Sequence, residues 1–155
     1  MPEFYFVDTS ALSKRYIIET GSVWVSRELH PAAKNEVAIV RTTTVELIAA
    51  ISRRERGNSL TPSDATIARA NFQADVFQQY QVVELTPQLA LQAIALATRH
   101  GLRGYDAIQL SAALAVNSIR RSMNLTPIIL LSSDSELNLA AIAEGLTVND
   151  PNSHP

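Results

Sequence analysis

Phe4-Tyr5-Phe6-Val7-Asp8 is an apolar run of four residues that ends in an acid. The run shows no alternation of polar and apolar residues, which is typical of a strand covered on both faces in a parallel sheet. Asp8, Thr9 and Ser10 are all good helix-capping residues, so a helix is predicted to begin directly after the strand. A buried strand that leads straight into a helix is the first unit of an α/β fold.

The same change from strand to helix recurs along the chain. Further strands are predicted at residues 37–40, 82–85 and 128–131, and a fifth at residues 146–148. The predicted helices cover residues 9–18, 22–33, 43–56, 62–80, 87–100, 104–119 and 133–144. Strands separated by helices predict a three-layer α/β/α domain with a mostly parallel sheet of four to five strands.

The composition is that of one folded domain. The chain has 155 residues, of which 46% are hydrophobic and 18% charged, and this balance favours a packed core over disorder. Residues 1–150 are expected to form the domain, and the polar tail from Asn149, including residues 151–155, is expected to fray. The chain lacks a long apolar run, a signal-peptide pattern and any cysteine, so a cytoplasmic protein without a membrane span is predicted.

Four carboxylates stand at the ends of apolar segments, where an acid without a partner is costly. Asp8 and Asp134 follow predicted strands, whereas Glu46 and Asp106 lie near the starts of predicted buried helices. Ligands of parallel α/β sheets bind beyond the carboxyl ends of the strands, so the four acids are expected to meet at that edge. No neighbouring Lys or Arg in the sequence supplies one partner per acid, whereas one divalent cation would serve all four.

Such a set of ligands has a defined chemistry. Ligands that offer only oxygen select hard cations, Mg²⁺ or Mn²⁺. Ser10 and Ser133 are expected to hold carboxylates or waters in place around the ion. An acid cluster with Mg²⁺ is suited to phosphodiester hydrolysis, because the ion activates water, neutralises the scissile phosphate and stabilises the leaving oxygen.

Each acid also has a purely structural interpretation, which for Glu46 is a place on an exposed helix face. Asp8 is able to cap the helix that follows it. Ser133 and Glu136 form a capping-box pattern with Ser133 as the cap, which would place Asp134 in the first helical turn. Asp106 occupies a similar position, where the helix dipole favours an anion. The joint placement of the acids at one sheet edge is what favours a metal site over four separate structural roles.

The segments that contain these acids resemble the PIN-domain ribonucleases, and most closely the VapC-type toxins of bacterial and archaeal toxin–antitoxin pairs. The similarity spans Asp8 to about Pro151 and rests on four segments, Phe6–Leu12, Thr44–Leu47, Gly104–Leu114 and Leu131–Asp134. The resemblance implies a PIN-like fold.

The same resemblance implies a function and a set of site residues. Asp8, Glu46, Asp106 and Asp134 match the catalytic, metal-binding acids, and Ser10 matches a small hydroxyl residue usual after the first Asp. The implied activity is Mg²⁺- or Mn²⁺-dependent endoribonucleolytic cleavage of structured RNA such as tRNA or rRNA. The implied assembly is a homodimer that is inhibited by a cognate antitoxin protein.

Several Lys and Arg residues are candidates for RNA contacts, although the formal net charge of the chain is −2. Four cations near the acids in the sequence are the first candidates: Lys14, Arg15, Arg99 and Arg103. Other cations at predicted helix ends are Arg53, Arg54, Arg56, His100, Arg120 and Arg121. The structural alternative for these residues is that they complement the negative ends of helix dipoles.

Other α/β phosphate enzymes fit the sequence less well. Phosphatases of the haloacid-dehalogenase type require a second Asp where this chain has Ser10, and receiver domains require a late Lys, which the chain lacks. There is no P-loop and no glycine-rich dinucleotide turn. The remaining alternative is a non-catalytic PIN-like module that binds RNA or protein, and four costly acids kept together favour the nuclease.

Overall fold

The sheet is built around the N-terminal strand. The computed structural model describes residues 1–155, and β1 (Phe4–Val7) lies in the middle of five strands. The others are β2 (Glu36–Val40), β3 (Tyr80–Val83), β4 (Ile129–Leu131) and β5 (Thr147–Asn149). The strand order is β3-β2-β1-β4-β5, and every neighbouring pair is parallel. The predicted α/β class is therefore confirmed, with a sheet that is parallel throughout.

Seven α-helices connect the strands and cover both faces of the sheet. They are α1 (Thr9–Tyr16), α2 (Ser22–Glu28), α3 (Arg41–Arg56), α4 (Pro62–Gln78), α5 (Pro87–His100), α6 (Gly104–Ser122) and α7 (Ser135–Ala143). None of these helices combines the length and the apolar character that crossing a bilayer requires.

The alternation of side chains along β1 divides the core into two halves. Phe4 and Phe6 point to one face and pack with residues of α5, α6 and α7. Tyr5 and Val7 point to the other face and pack with residues of α1 to α4. Because both faces of the strand are buried, every residue of β1 is apolar, which explains the unbroken run in the sequence.

Most predicted elements differ from the observed bounds, and for two of them the difference has a clear physical cause. The helix predicted at residues 22–33 ends at Glu28, and a separate 3-10 turn covers Pro31–Ala33. His30 is extended because a residue before proline is disfavoured in the helical conformation. The third strand begins at Tyr80 rather than at residue 82, since Tyr80 is buried in the core and pairs with Val37.

The C-terminal tail is ordered, so the prediction that it frays is wrong. Pro151 is buried, and the Nζ of Lys14 donates to Oδ1 of Asn152 at 2.9 Å. The rings of His154 and Trp24 are stacked with centroids 4.2 Å apart. These partners lie far from the tail in the sequence, so local composition contained no sign of the contacts that hold it.

The strand order places a topological switch point between β1 and β4 at one edge of the sheet. After β1 the chain passes to α1 on one face, and after β4 it passes to α7 on the opposite face. Ligands of open α/β sheets bind at such a position, beyond the carboxyl ends of the strands. Asp8 and Asp134 follow these two strands.

Candidate functional site

Asp8 lies at the carboxyl end of the central strand and is 3% exposed. Its backbone N–H donates to the carbonyl of Leu131 at 3.1 Å, which extends the pairing of β1 with β4. One carboxyl oxygen, Oδ1, accepts from Ser10 Oγ at 2.7 Å and from the backbone N–H of Ala11 at 3.2 Å. Asp8 therefore caps α1 through Oδ1, and Ser132 supplies a further hydrogen bond to the carboxylate.

Burial raises the pKa of Asp8 from its ordinary value to about 7. The hydrogen bonds from Ser10 and Ala11 stabilise the ionised form and oppose this shift, whereas the negative charge of Asp106 adds to it. A positive charge beside this carboxyl group would favour its ionised form.

Asp134 is the N-cap of α7, so the prediction of Ser133 as the cap is wrong. Its Oδ1 accepts from the backbone N–H of Leu137 at 3.0 Å, and its own backbone N–H donates to Ser132 Oγ. The backbone stays extended at Asp134, which delays the helix until Ser135.

Ser10 joins the ends of the two strands. Its hydroxyl donates to Asp8 and accepts from the backbone N–H of Ser133 at 2.9 Å. The hydroxyl of Ser133 is buried and has no hydrogen-bond partner. Ser10 thus lies between the two acid-bearing strand ends.

Glu46 reaches the same edge from α3, which begins directly after β2. Burial raises the pKa of Glu46, and the charge of Asp106 raises it further. Hydrogen bonds from Gln109 and Thr9 act in the opposite direction, because they stabilise the carboxylate. Glu46 is therefore half-buried, hydrogen-bonded and close enough to Asp106 to be affected by its charge.

Asp106 lies in the first turn of α6 and interacts electrostatically with each of the other three acids. Its pKa is raised by burial and by the charge of Asp134, and lowered by Arg103. The charge of Asp106 in turn raises the pKa values of Asp8 and Glu46. The four acids therefore share one electrostatic environment.

None of the four acids has a Lys, Arg or His partner within ion-pairing distance, although six other acids of the chain do. As the side chains stand, no three acidic or histidine groups are clustered tightly enough to hold one ion. The acids are neighbours rather than an assembled coordination sphere. Their donor chemistry, carboxylate oxygens without counter-charges, fits a hard divalent cation such as Mg²⁺ or Mn²⁺.

Two of the predicted RNA contacts are engaged within the protein. Lys14 is 5% exposed, and its Nζ lies 3.3 Å from Glu19 Oε2 and 2.9 Å from the carbonyl of Thr20. The Nε of Arg15 donates to Asp75 at 3.0 Å. These cations hold α1 against its neighbours and do not face the acids.

The other two predicted RNA contacts differ from each other. Arg99 pairs with Glu144, as does the neighbouring His100. Arg103 is exposed, forms no ion pair, and is close enough to Asp106 to lower its pKa. Of the four predicted cations, Arg103 is the one that is unpaired beside the acids.

The sequence analysis did not identify Gln109 or Thr43. The Nε2 of Gln109 lies 2.8 Å from Thr43 Oγ1, 3.3 Å from Glu46 Oε1 and 3.4 Å from Thr9 Oγ1. A signal was present, because Gln109 and Ser111 are the only polar residues in the run from Ala107 to Val116.

The chain matches a known protein family and is similar to curated ribonucleases. The family model of the PIN domain matches residues 5–143. Ribonuclease VapC45 of Mycobacterium tuberculosis is 35% identical over 116 residues, which cover 75% of this chain and 78% of that protein. All four acids of the site lie within the matched region of the family model.

Solved structures share the fold at low sequence identity. VapBC2 from Rickettsia felis, solved bound to a DNA fragment from its promoter, aligns with a TM-score of 0.63 at 16% identity and covers 95% of this chain and 98% of that one. VapC20 of Mycobacterium tuberculosis, a toxin that cleaves the sarcin–ricin loop, aligns with a TM-score of 0.62 at 19% identity, over 92% and 96% of the two chains.

Proposed function

Since the chain belongs to the PIN-domain family and is related to the VapC ribonucleases, we propose that it is a metal-dependent endoribonuclease that cleaves structured RNA. The further proposal is that it acts as the toxin of a toxin–antitoxin pair. The observation that carries the proposed activity is the set of four acids, Asp8, Glu46, Asp106 and Asp134, which share one sheet edge without a counter-charge.

The electrostatic cost of ionising these acids together is the reason for proposing a metal ion. Burial and mutual repulsion raise the pKa values of Asp8, Glu46 and Asp106, so the ionised site is unfavourable by itself. A bound Mg²⁺ or Mn²⁺ would offset that repulsion, activate a water and neutralise the scissile phosphate. The protein's own part is to hold the carboxylates at fixed positions, with Asp8 and Asp134 restrained by the caps of two helices.

The proposed substrate is structured RNA such as tRNA or rRNA. The relation to ribonucleases named VapC supports an RNA substrate, and one structural neighbour is a toxin that cleaves the sarcin–ricin loop. Arg103 is the side chain that we propose for a phosphate contact, because it is exposed, unpaired and beside Asp106.

The proposed partners are a cognate antitoxin and a second copy of the chain. Structural neighbours were solved as toxin–antitoxin complexes, which supports an antitoxin partner here. The homodimer rests on the resemblance to VapC-type toxins. Light scattering of the purified protein tests it, and a mass near that of one chain would contradict it.

The activity is tested with purified protein and total tRNA and rRNA, in Mg²⁺, in Mn²⁺ and in EDTA. We expect cleavage in either metal and none in EDTA. Asp8→Asn is expected to reduce the cleavage rate by about two orders of magnitude or more, since it weakens the binding of an ion that contributes several kcal/mol to catalysis.

The matched control is Asp64→Asn, which alters an exposed acid of α4 away from the site and is expected to leave the rate unchanged. Cleavage that persists in EDTA, or an Asp8→Asn protein as active as the wild type, would overturn the metal mechanism. RNA that is bound but not cut under all conditions would favour the alternative, a non-catalytic PIN-like binding module.

The toxin assignment has its own test. Expression of the chain is expected to arrest growth, and co-expression of the adjacent gene product is expected to relieve the arrest. Harmless expression in the native host of a chain that cleaves RNA in vitro would contradict the toxin role while leaving the ribonuclease proposal intact.

A further inference from the structure

Gln109 places a buried amide where an apolar side chain would otherwise pack. The residue is 1% exposed and lies in α6, three positions after Asp106. A buried amide is unfavourable unless hydrogen bonds compensate it. The partners of Gln109 come from two other helices, Thr9 of α1 and the pair Thr43 and Glu46 of α3.

The orientation of this amide is determined by Glu46. Nε2 has two hydrogens, of which one points to Thr43 Oγ1 at 2.8 Å and the other lies near Glu46 Oε1 at 3.3 Å. The amide oxygen, Oε1, is buried and has no partner. Rotating the amide by half a turn would bring its oxygen against the carboxylate, and an ionised carboxylate accepts hydrogen bonds but donates none. The amide therefore keeps its donor on Glu46 although its oxygen is left unsatisfied.

We propose that Gln109 is a positioning residue of the metal site, whose buried amide fixes the position of the Glu46 carboxylate. The inference rests on the proposed function. If the role of Gln109 were purely structural, its amide would only join α3 to α6, and the effect of replacing it would not depend on Glu46.

The two roles are separated by a double-mutant cycle on Mn²⁺ affinity, measured without RNA by calorimetry or electron paramagnetic resonance. The four proteins are the wild type, Gln109→Met, Glu46→Ala and the double variant. Methionine is unbranched and nearly as long as glutamine, so it fills the same space but offers no donor.

Gln109→Met is expected to raise the Mn²⁺ dissociation constant by about tenfold, the lower end of the range seen for residues that orient metal ligands. In the Glu46→Ala background the same change is expected to have less than a twofold effect, because the residue through which Gln109 acts is gone. Glu46→Gln is a further background for comparison with Glu46→Ala. Glutamine at position 46 again offers an oxygen to the amide of Gln109, but it lacks the negative charge of glutamate.

Two outcomes would overturn the proposal. One is a Gln109→Met protein that binds Mn²⁺ within twofold of the wild type, and the other is an equal loss in both backgrounds. Gln92→Met, which alters an exposed glutamine of α5, is the matched control and should leave the affinity unchanged. A wild-type protein that binds no Mn²⁺ would overturn the proposed function itself, and this result is distinct from the other two.

Folding of each variant is checked by thermal unfolding and circular dichroism. If Gln109→Met does not fold, Thr43→Val decides the question, because it removes the 2.8 Å anchor of the amide and keeps Gln109 in place. A loss of Mn²⁺ affinity in Thr43→Val that disappears in the Glu46→Ala background would support the proposal. An affinity equal to that of the wild type would contradict it.

Discussion

At the scale of single residues, the observed capping role of Asp8 does not exclude its proposed role in metal binding. Its Oδ1 caps α1 by accepting from Ser10 and from the backbone of Ala11. A carboxylate can accept more contacts than the cap uses, so the cap leaves room for a cation. The structural interpretation of the sequence and the metal-binding interpretation are therefore compatible at the same side chain.

The shifted pKa of Asp8 predicts how the metal-free protein responds to pH. The pKa is 3.8 for the unperturbed group and about 7 in the folded protein, so between these values the native state binds more protons than the unfolded state. Stability in EDTA is therefore expected to fall as pH rises from about 4 to 7, by about 4 kcal/mol at most from this residue. Glu46 and Asp106 shift in the same direction and add to the fall.

Asp8→Asn isolates the contribution of Asp8, because asparagine keeps an oxygen that accepts from Ser10 and Ala11. Urea unfolding in EDTA at pH 5 and pH 8 should show a shallower fall for the variant, and the variant should be the more stable protein at pH 8. Saturating Mn²⁺ should reverse that order. Parallel pH profiles of the two proteins in EDTA would contradict the shift assigned to Asp8.

At the scale of elements, the turn between α1 and α2 is held by the C-terminal segment. Gly21 caps α2 with a φ of 84°, a conformation that L side chains rarely adopt. A Cβ built on Gly21 would lie 2.4 Å from the carbonyl oxygen of Pro151. Glycine is therefore required at this position for its backbone conformation and for the close approach of the tail.

Gly21→Ala is expected to lower the free energy of unfolding by about 3 kcal/mol or more, from backbone strain together with the displacement of the tail. Gly101→Ala is the matched control, because Gly101 has a φ of 64° and an added Cβ there would meet nothing within 4 Å. The control is expected to cost about 1 kcal/mol from the backbone alone. Equal losses for the two variants in urea unfolding would contradict the contact between Gly21 and Pro151.

At the scale of the whole molecule, most of the positive charge is committed to internal ion pairs. Six of the eleven arginines pair with acids: Arg15, Arg27, Arg41, Arg54, Arg69 and Arg99. With a formal net charge of −2 and four unpaired acids at the site, the metal-free protein is poorly suited to attract RNA. A bound divalent ion would offset part of that negative charge, so RNA binding is expected to depend on the metal.

Arg103→Ala is expected to raise KM for RNA cleavage by about three- to tenfold and to reduce the salt dependence of binding by about one charge. The control is Arg53→Ala, which removes another exposed and unpaired arginine, near the far end of α3. Steady-state kinetics at several salt concentrations measures both effects. Equal changes in KM for the two variants would show that Arg103 has no special position on the RNA surface.

The sequence alone was sufficient to predict the layered α/β fold and the segments that form it. The apolar run of β1, the Thr-Pro helix starts at Thr61 and Thr86, and the caps at helix ends are local features, and each acts within a few residues. The two faces of a parallel sheet bury every residue of a central strand, so the pattern in the sequence follows directly from the fold. The candidate acids could be selected for the same reason, because each one follows a predicted strand or begins a predicted helix.

The tertiary structure alone decided which residues meet. Lys14 contacts Asn152, which lies 138 residues away in the sequence, and Gln109 contacts Glu46, which lies 63 residues away. Contacts of this kind depend on the strand order β3-β2-β1-β4-β5, which no local pattern specifies. The lack of ion-pair partners at the four acids is likewise a long-range property. It depends on how the acids are buried and on where the packing of the helices places each cation. Local periodicity thus determined the elements, and their packing determined the electrostatics of the site.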